Sequence, residues 1–272
     1  MAISGRAWAE TLLGLQRDLP EAYFAPASLV TAALRSVKDD LEVECLRSAA
    51  NAADRVAHDI RTGVIPMVGR TEVDVAREIG ERLIAEGHQR ATFTIVGGGP
   101  NSASPHHESG ERVIGPGEVV VCDFGGEFNL PDEGYGYCSD ITRTFSMGEP
   151  TSEVSDCYEV LHEAQTAGCN AAREGTRAED VDAITRSIIA DEGYGEFFIH
   201  RTGHGIGIDE HEEPYIVGGN PTPLVVGNAF SIEPGIYIPG RFGMRLEDIV
   251  VVTAQGPEQL NVADHSIGIV DI

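Results

Sequence analysis

Apolar residues along this chain first recur at helical spacing and then close up into short runs, and the alternation happens twice. Val75, Ile79 and Leu83 fall every fourth residue, which gives a helix one buried face. That helix is expected to start at Thr71, with Asp74 completing a pair like a capping box, and to stop at Gly87. A longer helical pattern precedes it, running from Lys38-Asp-Asp-Leu-Glu to Gly63. The order returns about 105 residues later, a period far too long for a solenoid. A helical stretch from Val154 to Glu174 leads to a second helix, with Thr176 and Glu179 as its capping pair, Val181, Ile184 and Ile188 as its stripe, and Gly193 as its stop.

Each half then carries a glycine-rich stretch bearing a histidine, Gly97-Gly-Gly-Pro-Asn-Ser-Ala-Ser-Pro-His106 and His200-Arg-Thr-Gly-His204-Gly-Ile-Gly, followed by two strand-like runs. Helix, helix, strand, strand, strand, repeated once, predicts a pseudo-twofold α/β (α+β) domain with sheet inside and helices outside. This domain takes residues 38–272. Residues 1–37 form a short opening unit of two helical stretches around Tyr23-Phe-Ala-Pro-Ala-Ser, too little for a domain of its own.

Four acids interrupt the strand-like runs: Asp123 after Val119-Val-Val-Cys, Asp140 before Ile-Thr-Arg-Thr-Phe, Glu233 after Ala229-Phe-Ser-Ile, and Glu247 before Asp-Ile-Val-Val-Val. An ionised carboxylate in such a setting is costly unless something neutralises it, and a divalent cation does so economically. With His204, four carboxylates balance two dications, a donor set that suits Mn²⁺, Co²⁺, Zn²⁺ or Fe²⁺. Two such ions can share a water, lower its pKa and polarise the carbonyl it attacks, which is hydrolysis without a protein nucleophile.

Composition narrows the partners. With 44 acidic and 19 basic side chains the formal charge is −25, which repels phosphate backbones and speaks against nucleic acid. Five cysteines, an odd number with no CxxC pair, indicate neither a disulfide framework nor a thiolate metal site. No apolar run approaches a membrane span, and the N-terminus lacks the basic flank and apolar core of a signal peptide. A cytoplasmic protein with no membrane partner is the expectation.

Seven ordered motifs carry a family resemblance: Ser104-Pro-His106, Cys122-Asp123-Phe-Gly-Gly, Ser139-Asp140-Ile-Thr-Arg-Thr, Gly203-His204-Gly-Ile-Gly, His211-Glu-Glu-Pro, Ile232-Glu233-Pro-Gly and Arg245-Leu-Glu247-Asp. Together they resemble the pita-bread metallopeptidases, and within them the prolidases and Xaa-Pro aminopeptidases. The resemblance implies two divalent metal ions, Mn²⁺ first among them, a proline-containing peptide as substrate, and a possible homodimer. Asp123 would chelate one metal, Asp140 and Glu247 would bridge both, and His204 with Glu233 would complete the other. Glu233 would also act as general base and proton shuttle. His106 and His211 would lie outside the metal shell and bind the substrate, stabilising charge on its carbonyl oxygen. Arg245 shares a strand face with Glu247 and would orient a carboxylate, of the protein or of the substrate. His107, beside His106, is expected to face solvent. Gly203, Gly205 and Gly207 are expected to let the backbone pass close to metals and substrate.

Three departures qualify the resemblance. Asp123 and Asp140 stand farther apart than is usual in the family, and the segment from Glu127 to Gly136 reads as an extended hairpin loop beside the site. Residues 1–37 resemble only the last strand and helices of the N-terminal domain such enzymes carry, so most of that domain is expected to be missing. Tyr215 stands where some prolidases place an arginine that holds the substrate's free carboxylate, so strict dipeptide specificity is not implied. A methionine aminopeptidase, a metal-independent creatinase-like hydrolase and a binding protein on the same fold are the competing readings. The complete ligand set opposes the last two.

Overall fold

The computed structural model describes residues 1–5, 7–129 and 136–270, so the centre of the expected hairpin loop, residues 130–135, lies outside the described residues. The opening unit contains β1 (Ala2–Ile3), α1 (Ala9–Asp18), β2 (Ala25–Pro26) and α2 (Ser28–Arg35). Neither of its helices buries a side chain. It is tied to the main domain at its end, where Val37 bridges Asn228 and the Arg35 guanidinium meets Asp209 at 2.7 Å.

The first half of the main domain runs α3 (Asp40–Arg61), α4 (Glu72–Ala85), β3 (His88–Gly98), β4 (Val119–Asn129) and β5 (Gly136–Met147). The second runs α5 (Ser152–Ala171), α6 (Ala178–Asp191), β6 (Gly203–Gly205), β7 (Glu212–Ile216), β8 (Ala229–Ile232), β9 (Gly235–Ile238), β10 (Phe242–Arg245) and β11 (Asp248–Thr253). Two late strands, β12 (Gly256–Gln259) and β13 (Gly268–Val270), extend the sheets of both halves. One sheet has the order β13-β5-β4-β3, the other β12-β11-β8-β6-β7, and only β13 pairs in parallel within them. This is the pita-bread fold.

Local hydrogen bonds show the pseudo-twofold. Gly69 N–H donates to Ile114 O and Glu72 N–H to Arg112 O in the first half; Gly175 N–H donates to Leu224 O and Ala178 N–H to Thr222 O in the second. Val119 and Ala229 each open the central strand of their half, and Asp123 and Glu233 lie the same number of residues beyond. Near the axis the halves touch themselves: Thr142 forms an antiparallel bridge with Glu247, and Arg143 pairs with Asp248 at 2.8 Å.

Strand alternation sorts the faces. Val120, Cys122 and Phe124 of β4, with Ile141 and Phe145 of β5, pack against Ala53, Val56 and Ile60 of α3 and Val75 and Ile79 of α4. Phe230 and Ile232 of β8 pack with Val250 and Val252 of β11 against Cys169 of α5 and Val181 of α6. The intervening residues Asp123, Asp140, Thr142 and Ser231 are therefore turned away from the helices, into the space between the sheets.

Two helix starts differ from each other. Thr71 caps α4 as its sequence predicts, accepting from Asp74 N–H at 3.2 Å. The expected Thr176 cap does not form: α6 starts one residue later, with Arg177 at the N-cap and no side-chain cap. The free N–H groups of Ala178 and Glu179 are instead taken by the carbonyls of Thr222 and Asn220.

Candidate metal centre

Asp140, His204 and Glu247 each offer a ligand atom, all within 4.8 Å of one another, and all three residues are buried. His204 Nε2 stands 3.6 Å from Asp140 Oδ2 and 3.3 Å from Glu233 Oε1. The opposite ring nitrogen, Nδ1, lies 3.1 Å from Gly205 O, a contact that requires the proton on Nδ1 and leaves the Nε2 lone pair facing the acids. Asp123 and Glu233 line the same cavity of about 620 Å³, as do His106, His211 and Arg245. The eight residues given a metal or substrate role from the sequence all line this one space.

The acids are held from behind. Thr142 Oγ1 donates to Glu247 Oε2 at 2.6 Å, and Ser231 Oγ donates to Glu233 Oε1 at 3.1 Å. Arg245 is buried and its guanidinium is spent on protein groups. Nη2 pairs with Asp123 Oδ2, Nε donates to Thr142 Oγ1 at 3.0 Å, and Nη1 donates to Tyr237 OH at 2.7 Å. Of its two anticipated partners, the carboxylate that the structure supplies is the protein's. Glu233 and Glu247 do not sit within strands: Glu233 follows β8, and Glu247 lies between β10 and β11. Pro234 cannot donate to a ladder, and Glu247 N–H turns instead to Thr142 O at 3.2 Å.

The electrostatics of this cluster call for a cation. Burial and the neighbouring Glu247 and Asp123 push the Asp140 carboxyl well above its ordinary range. Burial with Glu233 and Asp123 does the same to Glu247, and burial raises Glu233 to about 7. One carboxylate oxygen of Asp123 (Oδ1) and one of Glu247 (Oε1) are buried with no hydrogen-bond partner. Orphaned acceptors beside a free imidazole lone pair, in a site too rich in like charge to ionise alone, fit a divalent metal.

His106 and His211 are exposed to the cavity. The His211 ring lies 4.1 Å from that of His204, and burial followed by the neighbouring His204 imidazole lowers its pKa to about 4, which keeps it neutral. His107 does not face solvent as expected. Its Nε2 is 2.7 Å from Glu72 Oε2, and the fully buried Glu72 also accepts from Gly98 N–H and Asn101 Nδ2, which pins the loop that carries His106. Gly203, Gly205 and Gly207 serve close approach and not a left-handed backbone, since none of them has positive φ. A Cβ on Gly203 would stand 1.8 Å from Ser231 O, and one on Gly205 2.4 Å from Glu213 O, so these glycines permit close strand approach.

Nothing in the sequence pointed to Tyr237, which links His200 Nε2 (2.9 Å) to Arg245 and so to Asp123. Nor did it single out Thr142, beyond quoting it within a motif, or Arg201, which lines the cavity.

Comparison with known proteins agrees with this geometry. The model of metallopeptidase family M24 matches residues 44–254. A probable dipeptidase PepE of Mycobacterium tuberculosis is 50% identical over 239 residues, covering 88% of this chain and 62% of that protein. An Xaa-Pro dipeptidase of Lactobacillus helveticus is 41% identical over 265 residues, covering 95% of this chain and 69% of that one. The crystal structure of dipeptidase PepE from Mycobacterium ulcerans superimposes with a TM-score of 0.93 at 46% identity, over 100% of this chain and 71% of that chain. The chain therefore spans less than two thirds of the length of the M. tuberculosis relative.

Proposed function

Since the chain belongs to metallopeptidase family M24, we propose that it is a metal-dependent peptidase that hydrolyses the Xaa-Pro bond of dipeptides or of peptide N-termini. The observation that carries this reading is the buried Asp140, His204 and Glu247 cluster opening on a cavity shared with Asp123, Glu233, His106 and His211. Two divalent ions would be held there, Asp123 on one, Asp140 and Glu247 shared, and His204 with Glu233 on the other, with Mn²⁺ the first choice for a carboxylate-rich set. When bound, they supply Lewis-acid polarisation of the scissile carbonyl and a water of lowered pKa.

The chain's own groups do the rest. Glu233, backed by Ser231, takes the proton of the attacking water and returns it to the leaving nitrogen. His106 and His211 donate to the carbonyl oxygen as it gains charge. Arg245 and Thr142 fix Asp123 and Glu247, so the ligands need not reorganise during turnover. Phe93, Ile95 and Val217 give the cavity an apolar wall suited to a pyrrolidine ring. A proline imide has no N–H, so such a wall leaves no donor unpaired.

Hydrolysis of Ala-Pro, Ala-Pro-Ala and Met-Ala-Ala by metal-stripped protein, before and after addition of Mn²⁺, Co²⁺ or Zn²⁺, tests the reading. Metal-restored cleavage before proline is the expected result. Cleavage of Met-Ala-Ala alone would instead make the chain a methionine aminopeptidase.

A further inference from the structure

The junction between the opening unit and the main domain reaches the loop that carries His211. That loop leaves β6 at Gly205 and enters β7 at Glu212. Ile206 anchors its start in the core, but beyond it Ile208 and His211 are exposed, so apolar packing does not hold the rest. Two basic residues of the junction do. Arg35 Nη1 meets Asp209 Oδ2 at 2.7 Å, Arg35 Nη2 meets Glu212 Oε2 at 2.5 Å, and Lys38 Nζ meets Glu212 Oε1 at 2.5 Å. Asp209 and Glu212 stand on either side of His211 in the chain.

The Lys38 and Glu212 side chains are only 1% and 9% exposed. A buried ion pair adds little net stability, because desolvation offsets the attraction, whereas breaking it strands a charge; what the pair supplies is one fixed arrangement. Gly207 makes room for it. A Cβ there would stand 2.7 Å from Glu212 Oε1, so the carboxylate folds back over a backbone that carries no side chain. The start of the loop is tied to both sheets, with Cys138 N–H donating to Gly207 O at 2.8 Å and Ile206 N–H to Ala229 O at 3.1 Å. Held at both ends, the loop sets the His211 ring 4.1 Å from that of His204, on the wall of the metal cavity.

Resting on the peptidase reading above, we propose that Arg35 and Lys38 are positioning residues, which clamp Asp209 and Glu212 around His211 and hold its imidazole where the scissile carbonyl gains charge. Through Arg35 the opening unit contributes to turnover without touching the substrate. A displacement of about 1 Å at a group of this kind is enough to cost about 100-fold in rate.

The test measures kcat, KM and bound metal for Ala-Pro hydrolysis by the Mn²⁺-loaded wild type, Arg35→Met, Arg35→Lys, Lys38→Met, His211→Ala and the double variant Lys38→Met/His211→Ala. Lys38→Met should lose about 10- to 100-fold in kcat with KM and metal content near those of wild type. In the His211→Ala background the same change should cost no more than about twofold, because a residue that acts through His211 has nothing left to position. Arg35→Met should lose less, since Lys38 keeps Glu212, and Arg35→Lys should restore part of that loss. Losses that multiply in the double variant, or loss of metal in Lys38→Met, would overturn the assignment and leave the peptidase reading in place. Amide hydrogen exchange at Ile206 and Gly207, whose N–H groups are bonded to Ala229 O and Asp209 O, is followed in parallel. If wild type turns over no Xaa-Pro peptide, the peptidase reading fails, and faster exchange there in Lys38→Met and Arg35→Met, with the α3 amides unchanged, still supports the clamp. Unchanged exchange at the loop overturns it. Should Lys38→Met not fold, Arg35→Met, at a side chain 33% exposed, carries the same comparison alone and with His211→Ala.

Discussion

Asp140 and Glu247 are acids that the metal-free fold strains to bury, and removing one should act on stability and function with opposite signs. Asp140→Asn takes a like charge out of a buried cluster, so the metal-free protein should melt higher than wild type. The same change should abolish both metal uptake and turnover; a variant that binds metal stoichiometrically and stays active would refute the shared-ligand role. His211→Ala separates ligand from substrate group. It should retain wild-type metal content and lose about 10²- to 10³-fold in kcat, the usual cost of a donor to a developing oxyanion. Loss of metal in that variant would place His211 in the metal shell. At this scale the sequence exposed the acids because a charge inside an apolar run is chemically conspicuous, and the histidines through the motifs that carry the family resemblance. It concealed Tyr237, Thr142 and the Glu72–His107 contact, since an ordinary tyrosine, threonine or glutamate becomes informative only when folding brings its partner within 3 Å.

Two helix starts and one strand start carry the element-scale predictions. Thr71→Ala should cost about 1 kcal/mol, the common value for a lost N-cap, whereas Thr176→Ala should cost no more than about 0.5 kcal/mol because loop carbonyls occupy the α6 donors. Chemical denaturation of the two variants reads the difference, and equal losses would contradict the observed caps. His88 opens β3 with Nδ1 on Leu83 O at 3.1 Å and Nε2 on Ser139 Oγ at 2.7 Å. Burial lowers its pKa from 6.5 to about 4. Between those values the unfolded chain binds this proton and the fold does not, so its contribution is present above pH 6.5 and lost as pH falls towards 4. A His88→Gln variant should show a flatter stability profile across that window, and a slope equal to wild type would exclude the assignment. Of the expected α6 stripe Val181 is buried but Ile184 is exposed, and α6 buries Thr185 and Ile189 instead. Helix order, the α4 stripe and the glycine stops were legible because they are local. The α6 cap was not, because Thr222 and Asn220 approach it only through the tertiary fold.

The ligands proposed for the metal are divided between the halves: Asp123 and Asp140 come from β4 and β5, and His204, Glu233 and Glu247 from the second half. Without cations the carboxylates of the two halves meet at this place as like charges, with Arg245–Asp123, Arg143–Asp248 and the Thr142–Glu247 bridge among the attractive contacts beside them. With cations the same carboxylates become cross-links that the unfolded chain cannot reproduce, so binding energy appears as folding stability. Chelation should therefore lower Tm, and adding Mn²⁺ should raise it with a dependence on metal concentration, the free energy of unfolding gaining about 4 kcal/mol at a thousandfold excess over Kd. The mechanism predicts more than a shift. In Asp140→Asn the metal-dependent rise should vanish although the metal-free Tm has increased, because the lost oxygen was both a source of repulsion and a point of attachment. In Thr71→Ala, where the lost contact is far from the axis, the metal-free and metal-loaded proteins should fall together. A metal-dependent rise that survives in Asp140→Asn would mean that the stabilising ion sits elsewhere, for instance among the many exposed acids of this strongly negative chain, and the division of the ligands between two halves would then have no part in holding them together.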